Sequence, residues 1–309
     1  MTEPTPARSL REDHETQKLV QAAFELAREL GISRLLVQAD ELRDVQSIET
    51  VRASEQIIWL TTGDSESSIP RQSRDVMVRI PSTQLSRISQ INMGFFLAVL
   101  EKSVDLDESV LCLTGVAGSE RIDTILIANP RRDFPWLLDS GPEGDAQLVA
   151  PREAARVIEI ALRFAEEGRE GRPIGTIFVI GDMDDLAPCV RQIILNPCEG
   201  HAKRQRNIHN PQFVETLREF AAMDGAFIVS KKGVVESAGT YLDAPISSHE
   251  LPPGLGARHA AAAAITACAT ATAVVVSESS GTVRVFHDGR SILELEKPQP
   301  GGALISRKS

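Results

Sequence analysis

Between Met223 and Gly289 lie three short polar clusters whose residue types suit a phosphorylated ligand. They are Asp224-Gly225-Ala226, Gly254-Leu255-Gly256-Ala257-Arg258-His259 and Ser277-Glu278-Ser279-Ser280-Gly281-Thr282. A carboxylate beside glycine can hold a metal ion or a hydroxyl while bare backbone approaches the ligand. Taken alone, Asp224-Gly225 reads equally well as a plain turn. A glycine-rich loop that opens a helix offers free amides to an anion, and arginine grips phosphate oxygens through its planar fork. The competing reading is a surface arginine and a structural histidine. Ser277 and Glu278 stand at the carboxyl end of the apolar run Ala273-Val274-Val275-Val276, the end of a buried strand that ligands favour. The Ser-Gly-Thr that follows also reads as a hairpin turn into Val283-Arg284-Val285-Phe286, closed by Asp288-Gly289.

The elements that must position these clusters are legible around them. Ala226 to Ser230 is a β-prone run, and Lys231-Lys232-Gly233 turns it into Val234-Val235. Pro252-Pro253-Gly254-Leu255-Gly256 excludes a helix, whereas Ala257 through Ala271 is a narrow, alanine-rich helix former. Upstream, Pro151 opens a helix to about Glu167 with apolar Ala155, Val157, Ile158, Ile160, Ala161 and Phe164. A break at Gly168 to Gly171 ends it, and Gly175 begins a strand. A helix is expected around Leu186 to Leu195, followed by an irregular stretch from Asn196 to Asn210. That stretch carries His201, Lys203, Arg204, Arg206 and His209, the most basic run in the chain; it borders the site, meets a partner subunit, or is a solvated loop. Helical spacing returns from Pro211 to Ala222 and delivers the chain to Asp224.

In this order, Asp-Gly-Ala, the Gly-x-Arg-His helix start and the Val-Val-Ser-Glu strand end resemble the diadenylate cyclase (DAC, or DisA_N) domain, which condenses two ATP into cyclic di-AMP. The resemblance spans roughly Pro151 to Glu296 and includes Gly175-Thr176-Ile177-Phe178-Val179-Ile180-Gly181-Asp182 and Leu195-Asn196-Pro197. It implies catalytic roles for Asp224, Arg258 and His259, with Asp224 and Glu278 on a Mg²⁺ or Mn²⁺ ion. It also implies an ATP site lined by Gly225, Ala226, Tyr241, Leu242, Gly256, Ala257, Arg258, His259, Ser277 and Glu278. It further implies release of two pyrophosphates, one ATP per protomer, and a homo-oligomer with DAC domains face to face. Two positions depart from the common pattern: Ala260 stands where many members have a second arginine, and Ser279 where an acidic residue often follows Ser-Glu. Both departures fit the archaeal-type, DacZ-like branch, whose two-domain layout is similar. They also motivate the alternative of a catalytically weakened regulator that binds ATP or a cyclic nucleotide.

The preceding half alternates helices and strands. Helical spacing runs from Glu15 to Leu30 and stops at Gly31, followed by a strand at Leu35-Leu36-Val37. A helix near Asp44 to Ala53, strands at Gln56 to Thr61 and Val76 to Ile80, a helix from about Gln84 to Lys102, and strands at Val110 to Thr114 and Thr124 to Ala128 complete it. This predicts an α/β layer domain with a largely parallel sheet, which resembles, more weakly, the carboxy-terminal domain of pyruvate kinase. The loops Thr61 to Ser68 and Thr114 to Ser119 are small and hydroxylic, yet Asp64 and Glu66 oppose an anion, so ordinary solvated loops are expected there.

The division that follows is a flexible lead-in over 1–14, an accessory α/β domain over 15–130, a linker over 131–150, the DAC-like domain with a mixed sheet flanked by helices over 151–296, and a disordered tail over 297–309. The linker is rich in proline, glycine and charge, with Trp136, Leu137 and Leu138 as the part that packs. At 309 residues two domains can each bury a core. A net charge of -10 argues against a general nucleic-acid or anionic-membrane binder. Without a long apolar window or a signal-peptide core, no membrane span and a cytoplasmic location are expected. Cys112, Cys189, Cys198 and Cys268 are scattered, which predicts free buried thiols and neither zinc nor a disulfide framework.

Overall fold

The computed structural model describes residues 6–63, 66–70, 72–83, 85–105, 107–133, 148–168, 173–245 and 255–296. Two compact units meet in sequence between Asp139 and Ser140. Several expectations concern residues outside those described: the start of the lead-in, Asp64, most of the linker with Trp136, Leu137 and Leu138, part of the Gly168 to Gly171 break, Pro252-Pro253-Gly254, and the tail from Lys297.

In the first unit, α1 (Pro6–Glu29) leads to β1 (Arg34–Gln38), β2 (Gln56–Thr61), β3 (Val76–Arg79), α2 (Arg87–Leu100), β4 (Val110–Thr114), β5 (Thr124–Ala128) and the short α3 (Pro130–Asp133). The sheet order is β3-β2-β1-β4-β5, with parallel pairings up to β4 and an antiparallel edge at β5. Strands covered on both faces must be apolar throughout, as Leu-Leu-Val, Ile-Ile-Trp-Leu and Val-Leu-Cys-Leu are. Phe24 and Ala27 of α1 pack with Leu35, Val37, Ile57, Trp59, Leu111 and Leu113. Two elements differ from expectation. The first helix begins at Pro6, inside the segment read as a lead-in, because proline suits a first helical position and Ala-Arg-Ser-Leu-Arg-Glu are compatible with a helix. The segment after Asp44 is a 3₁₀ turn, Val45–Thr50, capped by the Asp44 carboxylate, which accepts from the Gln46 amide at 3.1 Å.

In the second unit, α4 (Pro151–Glu167) precedes β6 (Thr176–Gly181), α5 (Met183–Leu186), β7 (Val190–Gln192), α6 (Pro211–Phe220), β8 (Ala226–Val229), β9 (Val235–Leu242), α7 (Ala257–Cys268), β10 (Ala271–Val276), β11 (Val283–His287) and β12 (Arg290–Leu295). The mixed sheet runs β12-β11-β10-β6-β8-β9-β7, with β6 and β8 parallel and the other pairs antiparallel. On one face, the ring of Phe164 in α4 lies 6.0 Å from Phe178, which stacks at 4.9 Å on Phe227. Burying each such ring stabilises the unit by roughly 1.5–3 kcal/mol. On the other face, Ala262, Ala263 and Ile265 of α7 pack on Val179, Ile228, Ala273, Val275 and Phe286. Small side chains let the helix lie close to the sheet.

The helix expected from Leu186 to Leu195 is absent. Its place is taken by the end of α5, a 3₁₀ turn at Ala187–Cys189 and the edge strand β7, paired with Thr240 to Leu242. Pro188 cannot supply a helical N–H, and the free edge of β9 offers Val190 and its neighbours a strand partner. The cysteine expectation holds for Cys112 and Cys198, which are free and buried. It is corrected for Cys189 and Cys268, which form a disulfide across 79 residues of sequence. Chain spacing hid the pair, because the fold sets the last turn of α7 beside the turn that leads into β7. Among the described residues, no helix is long and apolar enough to cross a membrane.

Candidate active site

A cleft of about 1550 Å³ opens in the second unit where α7 starts and β8, β9 and β10 present their ends. Every residue that the resemblance assigns to catalysis or to the ATP site lines it: Asp224, Gly225, Ala226, Tyr241, Leu242, Gly256, Ala257, Arg258, His259, Ser277 and Glu278. The basic stretch after Asn196 does not. His201, Lys203, Arg204 and His209 are exposed, and Arg206 is paired with Glu236 at 2.6 Å.

Asp224 reaches the cleft because the chain bends sharply before β8. Gly225 takes φ +108, and a Cβ there would stand 2.5 Å from the carbonyl carbon of Gly239 and 2.7 Å from the amide of Thr240. Only glycine allows this close approach of β8 to β9, and it leaves the Asp224 side chain fully exposed. From α7, Arg258 donates to Glu278 at 2.7 Å and lies 4.0 Å from Asp224. One guanidinium thus stands between two carboxylates, one just before β8 and one just after β10. Gly175 makes room for it, because a Cβ there would fall 2.7 Å from Glu278 Cβ and 2.8 Å from Arg258 Nη1.

Gly256 precedes α7 with no side chain capping the helix, so its first amides face the cleft end of the macrodipole. His259, one turn in, is buried. Its Nε2 lies 3.4 Å from Arg284 Nη1, its ring meets Phe286 edge-on at 6.1 Å, and Nδ1 has no partner among the described residues. Burial holds its pKa below the usual imidazole value, and the positive charges of Arg284 and Arg258 push the same way against Glu294. After β10, Ser277 Oγ pairs with Ser279 Oγ at 3.2 Å, and the Ser277 amide donates to Thr282, so the hairpin turn and the cleft share these residues.

Sequence reasoning missed Arg284, Ile193, Thr240 and Asp243, which also line the cleft. The signal for Arg284 was a lone charge inside an apolar strand. Where Ala260 offers only a methyl group, Arg284 brings a guanidinium from β11. No cluster of three or more His, Cys, Asp or Glu side chains suited to a metal occurs among the described residues. The carboxylates lining the cleft, Asp224, Asp243 and Glu278, are hard oxygen donors, a chemistry that suits Mg²⁺ or Mn²⁺ held by one or two carboxylates and completed by substrate phosphates.

A family described as DisA bacterial checkpoint controller nucleotide-binding matches residues 163–291. The chain is 33% identical over 212 residues to a diadenylate cyclase of Methanocaldococcus jannaschii, covering 68% of this chain and 67% of that one. It is 30% identical over 222 residues to a diadenylate cyclase of Haloferax volcanii, covering 72% and 80%. Among solved structures, a double mutant of DacA from Staphylococcus aureus is similar at 22% identity and TM-score 0.29, over 46% of this chain and 87% of that one. With two thirds or more of both curated relatives spanned at these identities, the chain belongs to the diadenylate cyclase family, nucleotidyltransferases that make cyclic di-AMP.

Proposed function

We propose that this protein joins two ATP into cyclic di-AMP, with one ATP in each protomer's cleft and two protomers meeting face to face. The observation that carries the reading is the convergence of Asp224 before β8, Arg258 and His259 on α7, and Glu278 after β10 on one cleft large enough for a nucleotide. Each 3′-hydroxyl oxygen bonds to the α-phosphorus of the other ATP as the bond to the β-phosphate oxygen breaks. Two pyrophosphates leave, and each hydroxyl proton passes to solvent or to a nearby carboxylate. Two-fold symmetry lets a single interface serve both bonds.

Such chemistry needs position and charge more than covalent help. Arg258, His259 and the first amides of α7, from Gly256 and Ala257 onward, grip the triphosphate. Asp224 orients the attacking hydroxyl, Ser277 steadies the phosphates, and Gly225 and Ala226 allow backbone to approach. Tyr241 and Leu242 border the base. A Mg²⁺ or Mn²⁺ ion on Asp224 and Glu278 would supply charge neutralisation at the phosphates. The first unit serves assembly or regulation, so a chain lacking residues 1 to about 145 should stay soluble and bind ATP.

The test is incubation with ATP and either metal, with products separated by chromatography. Cyclic di-AMP is expected; none under conditions where ATP binds would sink the reading. The shared interface is tested by mixing Asp224→Asn with Arg258→Ala protein. Each bond takes Asp224 from the attacking side and Arg258 from the phosphate side, so a mixed pair closes one bond and yields a linear dinucleotide. Wild-type levels of cyclic product from the mixture would refute the arrangement.

A further inference from the structure

Arg284 sits on β11 between two fully buried valines, opposite Val275 of β10 and Glu294 of β12. Its side chain is 16% exposed and ion-paired to Glu294. An arginine held this way is fixed in direction, and its remaining donors point where the sheet and α7 put them. One of them, Nη1, lies 3.4 Å from His259 Nε2.

A guanidinium has five N–H donors, no acceptor, and no accessible neutral form. Its partner in a hydrogen bond must therefore accept, which requires a lone pair on Nε2 and places the single ring proton on Nδ1. His259 Nδ1 is buried and finds no partner among the described residues, so the Arg284 contact is the one hydrogen bond there that sets both the ring's orientation and its tautomer.

We propose that Arg284 is a positioning residue for this family's reaction: it holds the buried His259 as the neutral Nδ1–H imidazole, so that the cleft's permanent cations are arginines. The proposal rests on the reading of His259 as part of the ATP site, but its first test does not. Its surroundings favour the neutral ring on balance. Burial disfavours an imidazolium first, and Arg284 from β11 and Arg258 from α7 itself add to this; Glu294 from β12 pulls the other way but is ion-paired to Arg284, and Phe286 packs against the ring edge to face. A histidine bearing a proton-dependent charge would tie phosphate binding to pH across the physiological range. A neutral one beside a fixed guanidinium removes that dependence.

The experiment is ¹⁵N-resolved NMR of the imidazoles in the ligand-free protein, followed by rate against pH. In the wild type, the His259 signal is expected to report a single neutral Nδ1–H tautomer at neutral pH, with a midpoint below the ordinary imidazole value. In Arg284→Gln, the midpoint moves up towards that value and both tautomers appear, while Arg284→Lys, which keeps a charged donor, restores the wild-type signature. The pH profile of cyclic-product formation is expected to shift in the same direction in Arg284→Gln and to return in Arg284→Lys. A wild-type His259 found as the Nε2–H tautomer or charged at neutral pH overturns the proposal, even if the glutamine variant does not fold. So does an identical His259 midpoint in wild type and Arg284→Gln. The expected signature in a protein that makes no cyclic product would instead overturn the catalytic reading and leave this pairing standing.

Discussion

The two units present similar loops at the ends of their strands and use them oppositely. In the first unit, the order β3-β2-β1-β4 places the crevice between β1 and β4, where ligands of parallel sheets usually sit. The loop after β4 supplies three amides there, those of Gly118, Ser119 and Glu120, and all three donate to the carboxylate of buried Glu41 at 2.7 to 3.0 Å. Asp40 similarly takes the Thr62 amide and the Thr61 hydroxyl. The chain's own side chains occupy these donors. In the second unit, α7 starts without a side-chain cap, Asp224 is fully exposed, and Arg258 is held by carboxylates on the open cleft. Small hydroxylic and glycine-rich loops do not by themselves make a ligand site; what matters is whether their donors are already engaged.

Removing the open cation should have the largest effect. Arg258→Ala is expected to lower the rate of cyclic-product formation by roughly 10²–10³-fold. It also leaves Asp224 and Glu278 without the positive charge between them. Arg258→Lys should recover only part of that loss, because an ammonium lacks the planar fork. A rate within a few-fold of wild type for the alanine variant would erase the contrast between the two units.

Next comes the space around that cation. Gly175→Ala puts a methyl group 2.7 Å from Glu278 Cβ and 2.8 Å from Arg258 Nη1, so one of them must move. A displacement near 1 Å at a reacting centre costs about 10²-fold in rate. The expected pattern is a drop of that order in turnover with a nearly unchanged melting temperature. A variant as active as wild type would mean that Arg258 and Glu278 need not hold their ligand-free positions.

Much of this contrast was legible in the sequence. The three clusters announced the cleft because each is polar, compact and set at the end of an apolar run, and β2, β4, β5 and α4 lie where their periodicity puts them. The misses share a physical cause, which is partners distant in the chain. Alternation along Val-Arg-Val-Phe suggests a solvent-facing Arg284, but α7 and Glu294 enclose it. Helical spacing after Leu186 gave way to pairing with β9, and Cys189 found Cys268 through the same rearrangement. Nothing near Glu41 in sequence marks it as the acceptor for a loop 77 residues away.

A third test moves to the occupied donors of the first unit. Glu41→Ala removes an acceptor for three amides and the Ser119 hydroxyl; Ser119 keeps its bonds to the Val116 and Arg121 carbonyls, whereas the Gly118 and Glu120 amides must find water or stay unpaired. A loss of about 2–4 kcal/mol in the first unit's stability is expected, read from its chemical unfolding midpoint. Binding of ATP to the second unit should persist. If ATP binding were lost while the unfolding midpoint stayed put, these donors would belong to the nucleotide machinery and the two sets of loops would not differ in kind.

The smallest effect separates the two forces acting on Glu41. Burial raises its pKa above 4.5, and the amides of Gly118, Ser119 and Glu120 with the Ser119 hydroxyl pull it back without cancelling the rise. The folded state therefore holds this proton more tightly than the unfolded chain does. That contribution to stability is complete below the unfolded value and is lost as pH climbs through the folded one. The carboxylates of Asp75 and Asp123 behave oppositely: burial raises them, but their arginine partners and other hydrogen bonds lower them further, so their contribution fades as pH falls. Glu41→Gln keeps the shape, removes the titration and leaves those two in place. The stability gap by which wild type exceeds Glu41→Gln should accordingly narrow as pH rises from about 4 to about 7, followed by urea unfolding at each pH. A gap that widens over the same range would mean that the amide donors outweigh burial, and that they form a true anion site which the chain's own glutamate happens to occupy.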